Sequence, residues 1–201
     1  MQNWKARMLA ALLAAALLPA CGGGPKGGAP QGSTTSSDPA MGTLSSTFGP
    51  SDAEIQATDP EIVSFPFDPG GVHLESGTPI TYPTDPPVSG PHYEEFVAEG
   101  GFYTYAVPPA YLVHSMEHGG VVIYYSPAVT PDQLSHLQAL AAQNPGRYHQ
   151  VVVVPRNDPT YPIILTAWTH WLRLTSYDAS RIDGFTTLFL DEGPEKEPAP
   201  M

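Results

Sequence analysis

The segment at residues 111–125 limits the folds open to this chain more than any other segment. Its first half carries His114, Met116, Glu117 and His118, and residues 121–125 form a run of valine, isoleucine and tyrosine. Such a run is typical of a buried β-strand. Two consecutive glycines lie between the halves and would end any helix that precedes them. The sequence therefore predicts a short segment of potential ligands placed directly before a core strand.

His114 and His118 face the same direction whichever local structure they adopt. A spacing of four places two side chains on one face of a helix, and an even spacing does the same on a strand. The third ligand depends on the structure, because a strand brings Met116 between the histidines and a helix brings Glu117 beside them. Imidazole with thioether suits copper, whereas imidazole with carboxylate suits zinc, iron or manganese. Both alternatives stay open in the sequence.

The same five residues match the H-x-x-E-H pattern of inverted zinc proteases, in which a long helix carries two histidine ligands and a glutamate base. The flanking residues argue against that interpretation. Pro108 and Pro109 limit the segment on one side, and Gly119 and Gly120 limit it on the other. We therefore expect a short segment that presents ligands rather than a catalytic helix.

Further histidines precede this segment. His92 ends a loop stiffened by several prolines, and such a loop presents a side chain at low entropic cost. The predicted metal ligands are His92, His114 and His118, completed by His73 or Met116. Glu117 and Tyr93 are predicted to support the ligands through hydrogen bonds. Copper is the favoured ion and zinc the alternative, while a hydrogen-bonded polar cluster without metal would also fit these residues.

The N-terminal residues predict a lipoprotein signal peptide at residues 1–20. Lys5 and Arg7 precede an apolar stretch at residues 8–18, which is too short to span a bilayer. The stretch leads to Cys21 in a sequence that resembles a bacterial lipobox. Lipidation of Cys21 would anchor the protein to a membrane of the cell envelope, facing the periplasm or the exterior. An ordinary secretory signal with a chance cysteine is the alternative.

Composition divides the remainder of the chain into three parts. Residues 21–59 are predicted to form a flexible tether rich in Gly, Ser and Pro, and residues 194–201 a disordered tail. Residues 60–193 are long enough for a single globular domain. The only cysteine is Cys21, so no intrachain disulfide supports this domain. The net charge of −12 argues against a nucleic-acid partner.

The domain is predicted to be α+β, with a mostly antiparallel sheet, two helices on one face and an irregular, Pro-rich N-terminal half. Thr130, Pro131 and Gln133 have the pattern of an N-cap, a first helical residue and a capping box. A second helix is expected at residues 178–190. The apolar runs at residues 121–125, 151–154 and 163–168 are expected to lie side by side as strands. Residues 72–82 predict a short strand or hairpin, and residues 102–107 another strand.

Three motifs in one order resemble the bacterial family DUF3105. They are Pro-Pro-Val-Ser-Gly-Pro-His-Tyr at residues 86–93, Leu-Val-His-Ser-Met-Glu-His-Gly-Gly followed by the apolar run at residues 112–125, and Leu-Thr-Ala-Trp at residues 165–168. The resemblance covers residues 73–195. It implies a secreted or membrane-attached protein and implies no particular activity. Leucine is the usual residue of the family at position 116, so the resemblance argues against Met116 as a general ligand.

These observations favour a membrane-tethered lipoprotein domain that binds a transition metal without catalysing a reaction. A metal-dependent enzyme with Glu117 as acid or base is one alternative. No G-x-S-x-G nucleophile motif is present, and the only cysteine is assigned to the anchor. A structural or interaction module in which the histidines pack in the core is a second alternative, and nothing in the sequence indicates which protein it would bind.

Overall fold

A mixed six-stranded sheet forms the centre of the computed structural model, which describes residues 49–95, 99–146 and 148–195. The helices of this part of the chain are α1 Asp52–Thr58, α2 Pro109–Glu117, α3 Pro131–Gln143 and α4 Ala179–Phe189. The strands are β1 Val63–Ser64, β2 His73–Leu74, β3 His92–Tyr93, β4 Gly101–Phe102, β5 Val121–Tyr125, β6 Val151–Pro155, β7 Ile163–Ala167 and β8 His170–Leu174.

The sheet has the order β1-β8-β7-β5-β6-β4. Three of its pairs are antiparallel, β1 with β8, β8 with β7 and β7 with β5. The pairs β5 with β6 and β6 with β4 are parallel. The predicted α+β class with a mostly antiparallel sheet is therefore confirmed, and so is the side-by-side placement of the three apolar runs.

The central strands are buried on both faces, which explains why they consist of continuous apolar residues. Successive side chains of a strand point to opposite faces. Val121 and Ile123 accordingly belong to one core cluster, to which α1, α3 and α4 also contribute. Val122 and Tyr124 belong to a second cluster, to which α2 contributes. Helix α2, whose local structure the sequence left open, thus packs its apolar side chains in the second cluster.

The helix boundaries follow from capping groups. Thr130 caps α3, its side chain accepts from the backbone N–H of Gln133, and the capping box predicted there is present. The predicted second helix is α4, with Asp178 as its N-cap. Helix α1 lies inside residues 21–59, which the sequence assigned to a tether. Its own capping box and the burial of Ile55 show that the folded part begins before residue 60.

The N-terminal half of the domain has little regular structure, as predicted. Within residues 72–82 only β2 is a strand, and it forms a small parallel ribbon with β3 instead of a hairpin. The strand predicted at residues 102–107 is limited to β4. Such short strands carry almost no periodic signal in a sequence.

The predicted signal peptide and Cys21 lie outside the described residues. Within the described ranges, no helix has the length and apolar character needed to cross a membrane.

Candidate metal centre

Three histidines and a glutamate converge beside the end of α2, and we call them the inner cluster. His73 comes from β2 and His92 from β3, while His114 and Glu117 come from α2. One nitrogen or oxygen atom of each lies within 4.8 Å of those of the others. In the parallel ribbon His73 is directly opposite His92, which brings these two imidazole rings to one place. The cluster therefore joins the ribbon to the helix.

Helix α2 has a defined C-terminus, and this fixes the positions of its two cluster residues, His114 and Glu117. Gly119 has a φ of +85°, its N–H donates to Met116 O, and the Gly120 N–H donates to Ser115 O. These are the two hydrogen bonds of a Schellman motif. A residue three positions before the last helical residue lies on the same face. His114 and Glu117 therefore point together into the cluster, and the helix ends at the two glycines, as the sequence predicted.

Backbone carbonyl groups fix the tautomers of two cluster histidines. Nδ1 of His92 lies 2.9 Å from Gly90 O, and Nδ1 of His114 lies 2.8 Å from Tyr93 O. A carbonyl oxygen only accepts, so each Nδ1 carries the proton that it donates. When these imidazoles are neutral, each Nε2 is left with a lone pair. This arrangement, with Nδ1–H on a backbone carbonyl, is the usual support of a histidine that ligates a metal through Nε2.

Glu117 brings a fully buried carboxylate into the cluster. The Gly71 N–H donates to its Oε1, while its Oε2 lies 3.0 Å from His92 Nε2 and 3.4 Å from His73 Nε2. The Oε2 and His92 Nε2 atoms are close enough for an ion pair, but neither has a hydrogen bond of acceptable geometry within the described residues. Buried polar atoms normally have a partner. These two atoms therefore point to a ligand between them.

Two separations inside the cluster match those of neighbouring ligand atoms around one small ion. In a tetrahedral site with bonds of the length found for zinc, neighbouring ligand atoms are about 3.3 Å apart. The Glu117 Oε2 atom lies 3.0 Å and 3.4 Å from the two nitrogens of His92 and His73. These two separations are thus close to those that such an ion requires, and the other ligand atoms of the cluster lie within 4.8 Å.

The surroundings of His92 and His114 shift their pKa values in opposite directions. Burial lowers the pKa of His92, but the Glu117 carboxylate and the Gly90 carbonyl act against it, and the net shift is upward. For His114, burial together with the neighbouring His92 and His118 lowers the pKa to about 4. His114 is therefore neutral at physiological pH, in the state that binds a metal.

The pKa of Glu117 is held below its ordinary value. Burial would raise it, but His92 and the Gly71 N–H interact with the carboxylate and outweigh this effect. An ionised carboxylate thus lies at the C-terminal end of α2, where the helix dipole disfavours negative charge and favours a cation.

The turn before β2 contains two glycines that leave room for the Glu117 carboxylate. Gly70 and Gly71 have φ angles of +76° and +78°, a region that L side chains rarely adopt. A Cβ atom at Gly70 would overlap Glu117 Oε1. The absence of a side chain at Gly70 is therefore required both by the backbone and by the close approach of the carboxylate.

A second set of ligand atoms, Glu117, His118 and Glu195, lies within 4.8 Å of one another, and we call it the outer group. His118 Nε2 is 3.2 Å from His114 Nε2, which connects the two sets. His118 Nδ1 donates to the backbone carbonyl of Glu195 at 3.2 Å.

The structure brings most of the predicted site residues together. His73, His92 and His114 meet in the inner cluster, and His118 lies beside it in the outer group. Tyr93, predicted as a supporting residue, contributes its backbone carbonyl to His114.

Glu117 and Met116 are placed differently from the expectation. Glu117, predicted as a supporting residue, occupies a ligand position. Met116 has no exposed surface and packs in the second core cluster, because a helix turns it away from the histidines. Glu195 lies in the segment predicted to be a tail, and no signal in the sequence identified it.

The chain belongs to the DUF3105 family, described as proteins of unknown function, whose model matches residues 73–200. The matched segment begins at His73 and contains every residue of the inner cluster and the outer group. No curated protein and no solved structure matches the chain. The family assignment confirms the resemblance seen in the sequence.

Proposed function

We propose that the inner cluster binds a divalent transition-metal ion and that the protein is a metal-binding domain of the cell envelope. One observation carries the proposal. His92 Nε2 and Glu117 Oε2 are buried, lie 3.0 Å apart and have no hydrogen bond within the described residues, while the Nδ1 atom of His92 donates to a carbonyl. Two lone pairs that face each other in a buried place repel, and a cation between them removes the repulsion.

A charge pair without metal is the competing explanation. A doubly protonated His92 would form an ion pair with Glu117, in agreement with its raised pKa. That pair involves only His92 and Glu117, although a carbonyl also orients the ring of the neutral His114 towards the same place. A metal uses His73, His92, His114 and Glu117 together, and this is why we prefer it.

The donor set favours zinc among the candidate ions. Three imidazole nitrogens and one carboxylate oxygen suit Zn²⁺ or Cu²⁺ in the divalent state. Cu⁺ prefers sulfur, and the only thioether near the cluster in sequence, Met116, lies in the apolar core. We therefore propose Zn²⁺ as the ion. In vitro, Cu²⁺ should bind the same site more tightly than Zn²⁺, according to the Irving–Williams order.

Isothermal titration of the full-length protein, purified without a His-tag and freed of metal, tests the proposal. We expect Zn²⁺ to bind below micromolar, and His92→Asn and Glu117→Gln to weaken binding by more than about 100-fold, beyond the effect of a residue that only orients a ligand. His136→Asn is the matched control, since His136 pairs with Asp183 on α4. Absence of sub-micromolar binding, or equal binding by all variants, would refute the proposal.

The envelope location rests on the N-terminal sequence. A short apolar stretch followed by Cys21 supports lipidation of that cysteine and attachment to a membrane surface. Labelling with a radioactive fatty acid in a bacterial host should mark the wild-type protein but not Cys21→Ser. Equal labelling of both proteins, or of neither, would contradict a lipid anchor at this residue.

A further inference from the structure

The outer group shares Glu117 with the inner cluster. His118 and Glu195 supply the other two ligand atoms, and all three atoms lie within 4.8 Å. The two sets are adjacent, because His118 Nε2 lies 3.2 Å from His114 Nε2. A carboxylate has two oxygen atoms, so one residue can serve both sets. In the inner cluster the Oε2 atom of Glu117 faces His73 and His92.

The C-terminal segment at residues 191–195 is bonded to the end of α2, and this positions Glu195. The Asp191 N–H donates to Gly119 O at 2.8 Å, and the Glu195 N–H donates to Glu117 O at 3.2 Å. A Cβ atom at Gly193 would overlap the backbone of Glu117, so the segment approaches the helix as closely as a glycine permits. Backbone hydrogen bonds and the close approach at Gly193 therefore hold Glu195 beside the cluster.

His118 is oriented by the same segment. Its Nδ1 donates to the carbonyl of Glu195 at 3.2 Å, so the other ring nitrogen, Nε2, which lies 3.2 Å from His114 Nε2, is the atom that would bind a metal. This is the same support that Gly90 gives to His92 and Tyr93 gives to His114. In all three histidines, Nδ1 thus donates a hydrogen bond to a backbone carbonyl.

The charges of the outer group call for a cation. The Glu117 carboxylate is fully buried, and the Glu195 carboxylate lies within 4.8 Å of it. Within the described residues, neither carboxylate forms an ion pair with a lysine or an arginine. Two like charges at this distance repel each other, and a divalent ion would neutralise both.

We propose that His118, Glu195 and Glu117 form a second divalent-metal position, so that Glu117 bridges an inner and an outer ion. The inference rests on the proposed function, because it presupposes an ion in the inner cluster. Pairs of metal ions in proteins are typically about 3.5–4 Å apart, a separation that one bridging carboxylate spans.

The two metal positions would differ in how accessible they are to solvent. The inner position has four protein ligands and two fully buried members, His92 and Glu117. The outer position has three protein ligands, of which Glu195 is exposed, and an open position for water or a small ligand. The outer position is therefore where an ion exchanges with solvent.

Metal counting on the full-length protein tests the second position. After equilibration with excess Zn²⁺ and removal of unbound ion, we expect two Zn²⁺ per wild-type chain and one per chain of Glu195→Gln or His118→Asn. Glu75→Gln, which removes an exposed carboxylate close to His73 in sequence but outside both sets, should retain two. Glu195 is exposed, so its variant should fold even if His118→Asn does not.

The outcomes separate this inference from the proposed function. One Zn²⁺ in the wild type, unchanged in Glu195→Gln, would overturn the second position and leave the inner site intact. Two ions in both the wild type and Glu195→Gln would also overturn it, whereas no bound ion at all would overturn both proposals.

A spectroscopic measurement gives an independent check. Two Cu²⁺ ions bridged by a carboxylate couple magnetically, so the electron paramagnetic resonance signal of the wild type should account for less copper than elemental analysis finds. In Glu195→Gln the signal should account for all the copper. A full signal in a wild type that contains two Cu²⁺ per chain would contradict bridging by Glu117.

Discussion

His73 lies directly opposite His92 in the register of β2 and β3, and their rings meet edge to face with centroids 4.7 Å apart. Each strand has only two residues, and so small a ribbon is marginal on its own. The ribbon is linked to helix α2 by the packing of Tyr93 against Tyr111 and by the cluster. An ion held by both histidines and by Glu117 would therefore fasten the ribbon to α2.

We expect metal to slow amide hydrogen exchange in this ribbon. The His92 N–H donates to Val72 O and the Glu94 N–H to Leu74 O, each at 3.0 Å, so both amides report on opening of the ribbon. At Zn²⁺ concentrations about 100 times the Kd, exchange through the metal-free open state should be up to about 100-fold slower. Mass spectrometry of the wild type and Glu117→Gln measures this, and equal slowing in both would contradict it.

Gly70→Ala should weaken metal binding as well as folding. Its φ of +76° strains an alanine by about 1–3 kcal/mol, and the added Cβ overlaps the Glu117 carboxylate. Gly77→Ala is the matched control, since Gly77 has a φ of +91° and nothing within 4 Å of an added Cβ. Both variants should lose stability in urea, but only Gly70→Ala should lose Zn²⁺ affinity. Equal affinities would show that the carboxylate tolerates displacement.

Met116→Leu should leave metal binding unchanged. Met116 packs in the second core cluster, and exchange for a residue of similar volume typically costs less than about 1.5 kcal/mol. Titration with Zn²⁺ and with Cu⁺ under reducing conditions compares the variant with the wild type. A selective loss of Cu⁺ affinity would instead assign the thioether a role as ligand.

The parts of the fold that were predictable have strong local signals. The capping box of α3, the apolar runs of β5, β6 and β7, and the glycines that end α2 all depend on neighbouring residues, and each is present. Helix α2 was left open because Pro108 at its N-cap makes no side-chain capping bond. Its remaining start signal is Pro109 at the first helical position, which the sequence interpretation treated as a limit of the segment.

The parts of the site that the sequence did not predict depend on contacts between distant segments. The pairing of His73 with His92 joins two-residue strands, which show no periodicity. The Glu195 N–H donates to Glu117 O and the Glu195 carbonyl accepts from His118 Nδ1, and neither bond depends on the side chain of residue 195. The sequence therefore indicated the histidines of the site but neither their division into two sets nor the second carboxylate.

Ile55→Ala should destabilise the domain although Ile55 lies in the segment predicted to be a tether. Its side chain is 2% exposed and belongs to the first core cluster, where loss of such a side chain costs about 2–5 kcal/mol. Val63→Ala is the control, because Val63 is 44% exposed and should cost much less. Urea unfolding measures both, and similar losses would argue that α1 does not contribute to the core.

Acid should destabilise the metal-free protein partly through His114. The pKa of this residue in the folded state is about 4, below the value of about 6.5 in an unfolded chain. As the pH falls through this interval, the unfolded state takes up the proton first, so stability present above pH 6.5 is lost towards pH 4. His92 acts in the opposite direction because its pKa is raised, and Glu117 adds to the loss at lower pH because its pKa is lowered.

The contribution of His114 is isolated by comparison with His114→Asn, which does not titrate. In the presence of a chelator, the urea midpoint of the wild type should fall more between pH 7.5 and 4.5 than that of the variant. Excess Zn²⁺ should make the wild type still more sensitive to acid, because protons compete with the metal for the same Nε2 atoms. If the midpoints of wild type and variant fall in parallel without metal, then His114 is protonated in the folded state at much the same pH as in the unfolded chain.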